Sequence, residues 1–350
     1  MVRQRVVLVG VLASIAVTSG GCNVIQYQRG RIRSRLSKAG LHETQVRLGD
    51  DTISYWDGGS GSPVVLLHGM GLAGLWQWNE QAPALAPTHR VIIPDMLWFG
   101  DSSSSRRDYS LGHQVAAVRA LIEHLGLTQL DLVGLSYGGI VAYGVAVQDR
   151  TRVRSLTLVD SPGPALGRAD YDQLTARLGK KDPTEIVVPQ TPEAVQKLMA
   201  LAYEHPPYIP SFAARQLIAE AYTKRREELR AMFNASTEKI EELTANAPRI
   251  PQPLCVIWGR NDPLFPLALS DRLLQFADSR SVRHVIEDAR HTPNVEYPKE
   301  FNKLLQSCLA FGGEASASLA GHGELRADRA TAGARDRARD GVADGVGQRH

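Results

Sequence analysis

The serine of LVGLSYGGIV, residues 132–141, sits between glycines at the end of an apolar run. Gly134-Leu-Ser136-Tyr-Gly138 follows a strand-like segment and precedes a helix-like one, which is the context that gives a G-x-S-x-G pattern meaning. A strand-to-helix turn that sharp strains the backbone, and Gly134 and Gly138 clear the room for it. The turn presents the Ser136 hydroxyl at a helix N-terminus, beside the backbone N–H of Tyr137. Serine is a weak nucleophile until a base takes its proton, and the base needs an acid to orient it. Among the chain's 10 histidines, His291 in EDARHTPNVEYP lies between the last strand-like and the last helix-like segments. His68 belongs to a separate glycine-rich motif, and His113 lies within a helix. For the acid, Asp262 in WGRNDPLFP directly follows the preceding strand; Asp160, closing LTLVD, is its rival. Chain order and loop position favour Asp262. Acyl transfer also needs donors for a developing oxyanion. Leu67-His-Gly-Met-Gly71 turns after a buried strand, and the Met70 and Tyr137 N–H groups would converge on one oxygen.

The elements that position these residues follow from periodicity. TQVRLG and TISYWD alternate, as a hairpin at a sheet edge does. PVVLLHG, HRVIIPD and LDLVGLS are continuous apolar runs, the mark of strands buried on both faces. VRSLTLVD, PLCVIWG and VRHVIED supply three more strands, and helix-like segments separate the runs. This alternation predicts an α/β fold, a mostly parallel central sheet with helices on both faces. The core is expected over residues 43–161 and 252–311. Residues 162–251 carry helical patterning interrupted by prolines and are expected to form a helical cap over the strand ends.

Taken together, HGMG, PD, GLSYGG, GRNDP and H-x-P-x-x-E-x-P, in this order, make the chain resemble α/β-hydrolase-fold serine hydrolases across about residues 43–311. It is most similar to the capped group that includes carboxylesterases, lipases and carbon–carbon bond hydrolases of ring-cleavage products. The resemblance implies an acyl-enzyme on Ser136, proton shuttling by His291, orientation by Asp262 and a substrate pocket shaped by the cap. A small-molecule carboxylic ester is the expected substrate. The alternatives are a ring-cleavage-type diketone, or a ligand bound with little turnover. Dehalogenases and epoxide hydrolases of this resemblance carry an aspartate nucleophile, and here the residue is Ser136. Two departures stand out: Arg290 precedes His291, and Trp98 follows the PD motif, where the family usually has glycine. A charge on Arg290 close to His291 would disfavour the imidazolium. Trp76, Trp98 and Phe99 are the expected pocket lining.

The chain ends and the composition bound the rest. The chain has 350 residues, 43% hydrophobic, enough for a large core. Forty Lys and Arg against 37 Asp and Glu give a formal charge of +3, which argues against nucleic acid as a partner. No H-E-x-x-H, paired cysteines or phosphate loop appears, so neither metal nor cofactor is expected. The odd cysteine count, Cys22, Cys255 and Cys308, gives no disulfide framework, and the last two read as small buried hydrophobes. Residues 1–22 combine Arg3 and Arg5, an apolar run from Val6 to Val17 and small residues ending at Cys22. They resemble a bacterial lipoprotein signal, which implies export and a lipid anchor on Cys22. Ser19 stands where such signals usually carry leucine. Residues 23–42, with Arg29, Arg31, Arg33, Arg35 and Lys38, read as a solvated basic tether. Residues 312–350 hold few large apolar side chains and are expected to be disordered.

Overall fold

The structure, a computed structural model, describes residues 23–179, 184–238, 246–278 and 280–314. The chain opens with α1 (Val24–Lys38), the hairpin β1 (Leu41–Leu48) and β2 (Asp51–Gly59), and β3 (Ser62–Leu67). Next come α2 (Gly74–Trp78), α3 (Ala82–Leu85), β4 (His89–Pro94) and β5 (Ser103–Ser104). Then α4 (Leu111–His124), β6 (Leu130–Leu135), α5 (Tyr137–Gln148) and β7 (Val153–Val159) complete the first part of the core. The described cap helices are α6 (Arg168–Leu178), α7 (Thr184–Val187), α8 (Pro192–Ala202), α9 (Ser211–Ala221) and α10 (Arg226–Glu238). The chain returns through β8 (Leu254–Gly259), α11 (Ala268–Leu274), β9 (Ser281–Ile286), α12 (Pro293–Glu296) and α13 (298–314).

The main strands lie in the order β1-β2-β4-β3-β6-β7-β8-β9, with β5 paired to β2. β1, β2 and β4 pair antiparallel, and every pairing from β4 to β9 is parallel. This is the α/β fold expected from the apolar runs. Alternate residues of each central strand enter different cores. Val65 and Leu67 of β3, Leu130 and Leu132 of β6, and Val256 and Trp258 of β8 face the cluster that includes α4, α5 and the cap. Val64 and Leu66, Val133 and Leu135, and Cys255 and Ile257 face the other, with Trp78 and Phe301. Burial on both faces explains why these strands lack polar alternation.

Several stretches differ from the expectation. The basic tether is largely helical: the Asn23 side chain caps α1 by accepting from the Ile25 and Gln26 amides. Ile32 and Leu36 seat one face of α1 in the core, while Arg29, Arg33 and Arg35 pair with Asp101, Glu43 and Glu80. Cys255 and Cys308 are not separate buried thiols but form a disulfide between β8 and α13, with Cα atoms 5.6 Å apart. Gly312 and Gly313 continue α13, and Gly312 lies directly against Ser155, where a β-carbon would come within 2.4 Å. Residues 312–314 therefore belong to α13 rather than to the expected disordered tail. The signal segment with Cys22, and residues 315–350, lie outside the described residues.

Candidate active site

Ser136 is the residue between β6 and α5, with φ 54° and ψ −122°. Positive φ in a non-glycine residue costs on the order of 1–3 kcal/mol and persists only where its surroundings hold it. Here the glycines permit the close contacts that do so. A β-carbon on Gly134 would lie 2.4 Å from the Gly138 carbonyl oxygen, and one on Gly138 would lie 2.3 Å from that of His68. Backbone cannot withdraw from such contacts without opening the turn.

The structure brings the three residues chosen for acyl transfer together. His291 Nε2 lies 2.9 Å from Ser136 Oγ, and His291 Nδ1 lies 2.9 Å from Asp262 Oδ2. With Nδ1 donating to the carboxylate, Nε2 is left to accept the serine proton. Asp262 Oδ1 accepts from the Leu264 and Phe265 amides at 2.8 and 3.1 Å, which fixes the carboxylate at the loop after β8. The Phe265 ring meets the imidazole edge-on at 5.5 Å between centroids. All three members are buried, Ser136 being the most accessible at 9%.

The glycine turn after β3 lies against the nucleophile: a β-carbon on Gly69 would sit 3.2 Å from that of Ser136. Neither the Met70 nor the Tyr137 amide is engaged by a backbone acceptor among the described residues. His68 does not join the triad. Its Nδ1 donates to the Gly69 carbonyl at 2.8 Å and its Nε2 accepts from the Met96 amide at 3.0 Å. Complete burial pushes its imidazolium down to about 4, so it is a neutral brace between the two loops. His113 is also elsewhere, bonded to Asp51 and the Asp108 carbonyl. Asp160 is not in contact with His291 among the described hydrogen bonds; it lies behind Asp262, at the end of β7.

Of the aromatic candidates, Trp98 and Phe99 join the cluster that carries Tyr137 and the cap. Phe99 meets His68 edge-on at 4.8 Å, and Trp98 packs on Tyr109 at 5.0 Å. Trp98 has φ 74°, which accounts for the suitability of glycine at this position. Trp76 packs on the opposite face of the sheet with Trp78 and Phe301, away from the expected lining. Arg290 points away from His291. Its Nε donates to Glu204 at 2.9 Å and its Nη1 to the Ala200 carbonyl at 2.5 Å, both on the cap side.

Sequence reasoning missed the seam that this arginine belongs to. Thr292 donates through both its amide and its hydroxyl to the Ala202 carbonyl, and the Glu296 carboxylate accepts from the Glu204 and His205 amides. The histidine loop is thereby stitched to the end of α8. The glutamate of H-x-P-x-x-E-x-P was the available signal. Cys255, Cys308 and His284 place potential metal-ligand atoms within 4.8 Å of one another, but both sulfurs are committed to the disulfide.

Comparison with known proteins agrees with the sheet and the motifs. A family model described as alpha/beta hydrolase fold matches residues 62–298. The chain is 30% identical over 265 residues to the 2-hydroxymuconate semialdehyde hydrolase of Pseudomonas sp. (strain CF600), covering 73% of this chain and 89% of that one. It is also 30% identical over 257 residues to the pimeloyl-[acyl-carrier protein] methyl ester esterase of Aeromonas hydrophila, covering 71% and 95%. Among solved structures, a bacterial membrane phospholipase A shares the fold, with TM-score 0.69, 24% identity and coverage of 83% and 92%.

Proposed function

The chain belongs to the α/β-hydrolase-fold family, and from that premise we propose that it is a serine hydrolase cleaving a carboxylic ester through an acyl-enzyme on Ser136. The observation that carries this reading is the relay at 2.9 Å from Ser136 Oγ to His291 and at 2.9 Å from His291 to Asp262. Ser136 Oγ attacks the ester carbonyl as its proton passes to His291 Nε2. Asp262 stabilises the resulting imidazolium without taking the proton itself. The carbonyl oxygen becomes an oxyanion, for which the unengaged Met70 and Tyr137 amides are the donors; such a donor is worth about 3 kcal/mol in the transition state. His291 then protonates the leaving alkoxide, and water deacylates the serine by the reverse sequence.

A second reading is hydrolysis of a carbon–carbon bond in a ring-cleavage-type diketone by the same residues. The likeness to the 2-hydroxymuconate semialdehyde hydrolase favours it. The buried Cys255–Cys308 disulfide favours the ester reading, because disulfides persist in oxidising compartments. The same feature supports export, and the pattern of residues 1–22 is the ground for proposing Cys22 as a lipidated N-terminus. Mass spectrometry of the membrane fraction should find an acylated Cys22; an unmodified N-terminus would remove the anchor.

The test of the reaction is labelling with a fluorophosphonate, with Ser136→Ala as control, followed by parallel assays on p-nitrophenyl esters and on a vinylogous diketone. Labelling confined to Ser136 with ester turnover is expected. Diketone turnover without ester turnover would establish the second reading. A folded protein with no labelling would refute both.

A further inference from the structure

Behind the triad lies a second buried acid that the reaction as described does not use. Asp160 immediately follows β7, which lies between β6, leading to Ser136, and β8, leading to Asp262. It is fully buried and has φ 41°, a backbone conformation unfavourable to a residue with a β-carbon. Its amide donates to the Ile257 carbonyl at 3.0 Å, and its Oδ1 accepts from the Gly259 amide at 2.8 Å. The other oxygen, Oδ2, is buried and makes no hydrogen bond among the described residues, and the Asp262 carboxyl is the acid that neighbours this group.

Two neighbouring carboxylates cannot both be ionised in such a place without a cation. Among the described residues, none is directed there. Arg260, on the same loop as Asp262, turns outward to Glu287, and Arg290 turns to Glu204. On the neighbouring elements, Ser136 follows β6, and the turn at Gly163–Ala165 carries no charged residue. The charged groups facing this acid are therefore Asp262 and, beyond it, His291. Asp262 has the prior claim to the negative charge because it accepts two amides and the imidazole. Burial, followed by the Asp262 charge, pushes Asp160 well above the usual carboxylate range.

We propose that Asp160 keeps its proton in the working enzyme and donates it from Oδ2 to Asp262, making it a positioning residue for the triad acid. Its O–H would hold the Asp262 carboxylate in plane with His291. It would also draw off part of the negative charge that stabilises the imidazolium. Without that donor, the imidazolium would be held more strongly, and the base would be lost to protonation at higher pH. Asparagine replaces the group closely: its oxygen can accept from Gly259, its amide can donate to Asp262, and it tolerates positive φ better than most residues.

The consequence for rate rests on the serine-hydrolase reading, whereas the proton can be tested directly. Infrared spectra of the full-length protein at pH 8 should contain the carbonyl stretch of a protonated carboxylic acid, absent in Asp160→Asn. Asp95, pushed up to about 6 by burial, is ionised at that pH and does not interfere. The rate of fluorophosphonate labelling should follow one pH profile in the wild type and Asp160→Asn. In Asp160→Ala its acid limb should move upward by about half a unit to one unit, slowing labelling at pH 6 roughly 3- to 10-fold. A missing infrared band in the wild type would overturn the proposal, even if no labelling occurred. An acid limb moved as far in Asp160→Asn as in Asp160→Ala would also overturn it, since packing alone would then explain the residue. If the alanine variant does not fold, the infrared comparison decides.

Discussion

Replacing Arg290 with methionine separates two consequences of placing an arginine beside His291. Methionine keeps an unbranched apolar stem and leaves the backbone preference unchanged, whereas glycine would also loosen the unfolded chain. Two interactions are lost. The bond from Nη1 to the Ala200 carbonyl is charge-assisted and worth about 1.5 kcal/mol. The pair with Glu204 has side chains 32% and 29% exposed, so screening limits it to about 0.5 kcal/mol. The seam between the histidine loop and α8 should weaken by about 2 kcal/mol, while the Thr292 and Glu296 bonds to the cap remain. Hydrogen exchange resolved by residue is the suitable assay, because this opening is local. Amides in the last turn of α8 should exchange roughly 30-fold faster, with little change in β6 or β7. The acid limb of the labelling profile should stay within about 0.2 units, because the charge faces Glu204 rather than the imidazole. If the charge instead acted on His291, its removal would stabilise the imidazolium and move the limb upward. An upward shift of more than about half a unit, with α8 exchange unchanged, would refute this account.

Trp98→Gly should relieve about 1–2 kcal/mol of strain at φ 74° but lose the buried indole and its contact with Tyr109, worth about 3–5 kcal/mol. Urea unfolding should therefore show a net loss of about 1–4 kcal/mol; a stabilised variant would mean that strain dominates. Replacing Cys255 and Cys308 together with alanine opens a loop with a sequence separation of 53, for which chain entropy gives about 4 kcal/mol. Melting should fall by roughly 10 °C without loss of labelling at Ser136; an unchanged melting temperature would remove the disulfide from the fold's support.

The sheet was legible because parallel strands buried on both faces must be largely apolar, as in Val64–Leu67 and Leu132–Leu135. The site was legible because a strand-to-helix turn demands glycine at Gly134 and Gly138, whatever the surrounding sequence. β5 is only Ser103–Ser104, too short for any period to show. α1 was obscured by its own arginines: its inward face is a sparse stripe through Ile32 and Leu36, and its charges find partners only in the folded chain. Counting cysteines misled because Cys22 belongs to a different segment, leaving an even pair that β8 and α13 bring together. Arg290 was misplaced because adjacency to His291 says nothing of where a long side chain reaches. The cap partner that attracts it, Glu204, lies 86 positions away in sequence.

The same structure shows how the site can be rigid although its backbone is strained. Among the described residues, the non-glycine residues with positive φ are Trp98, Ser136 and Asp160, each following a strand at the carboxyl edge of the sheet. Two of them are held by continuing the strand ladder one residue further: the Ser136 amide donates to the Val159 carbonyl and the Asp160 amide to the Ile257 carbonyl. The Gly259 amide then donates to Asp160 Oδ1, and the Arg260 amide to the Ile286 carbonyl. Ser136 and Asp160 are thus each fixed by the neighbouring strand, whose burial on both faces resists withdrawal. Ser136 and Asp262 are set by the sheet itself. His291 differs, because its loop is also sewn to α8 through Arg290, Thr292 and Glu296. Movement of the cap would therefore reach the base before it reached the nucleophile.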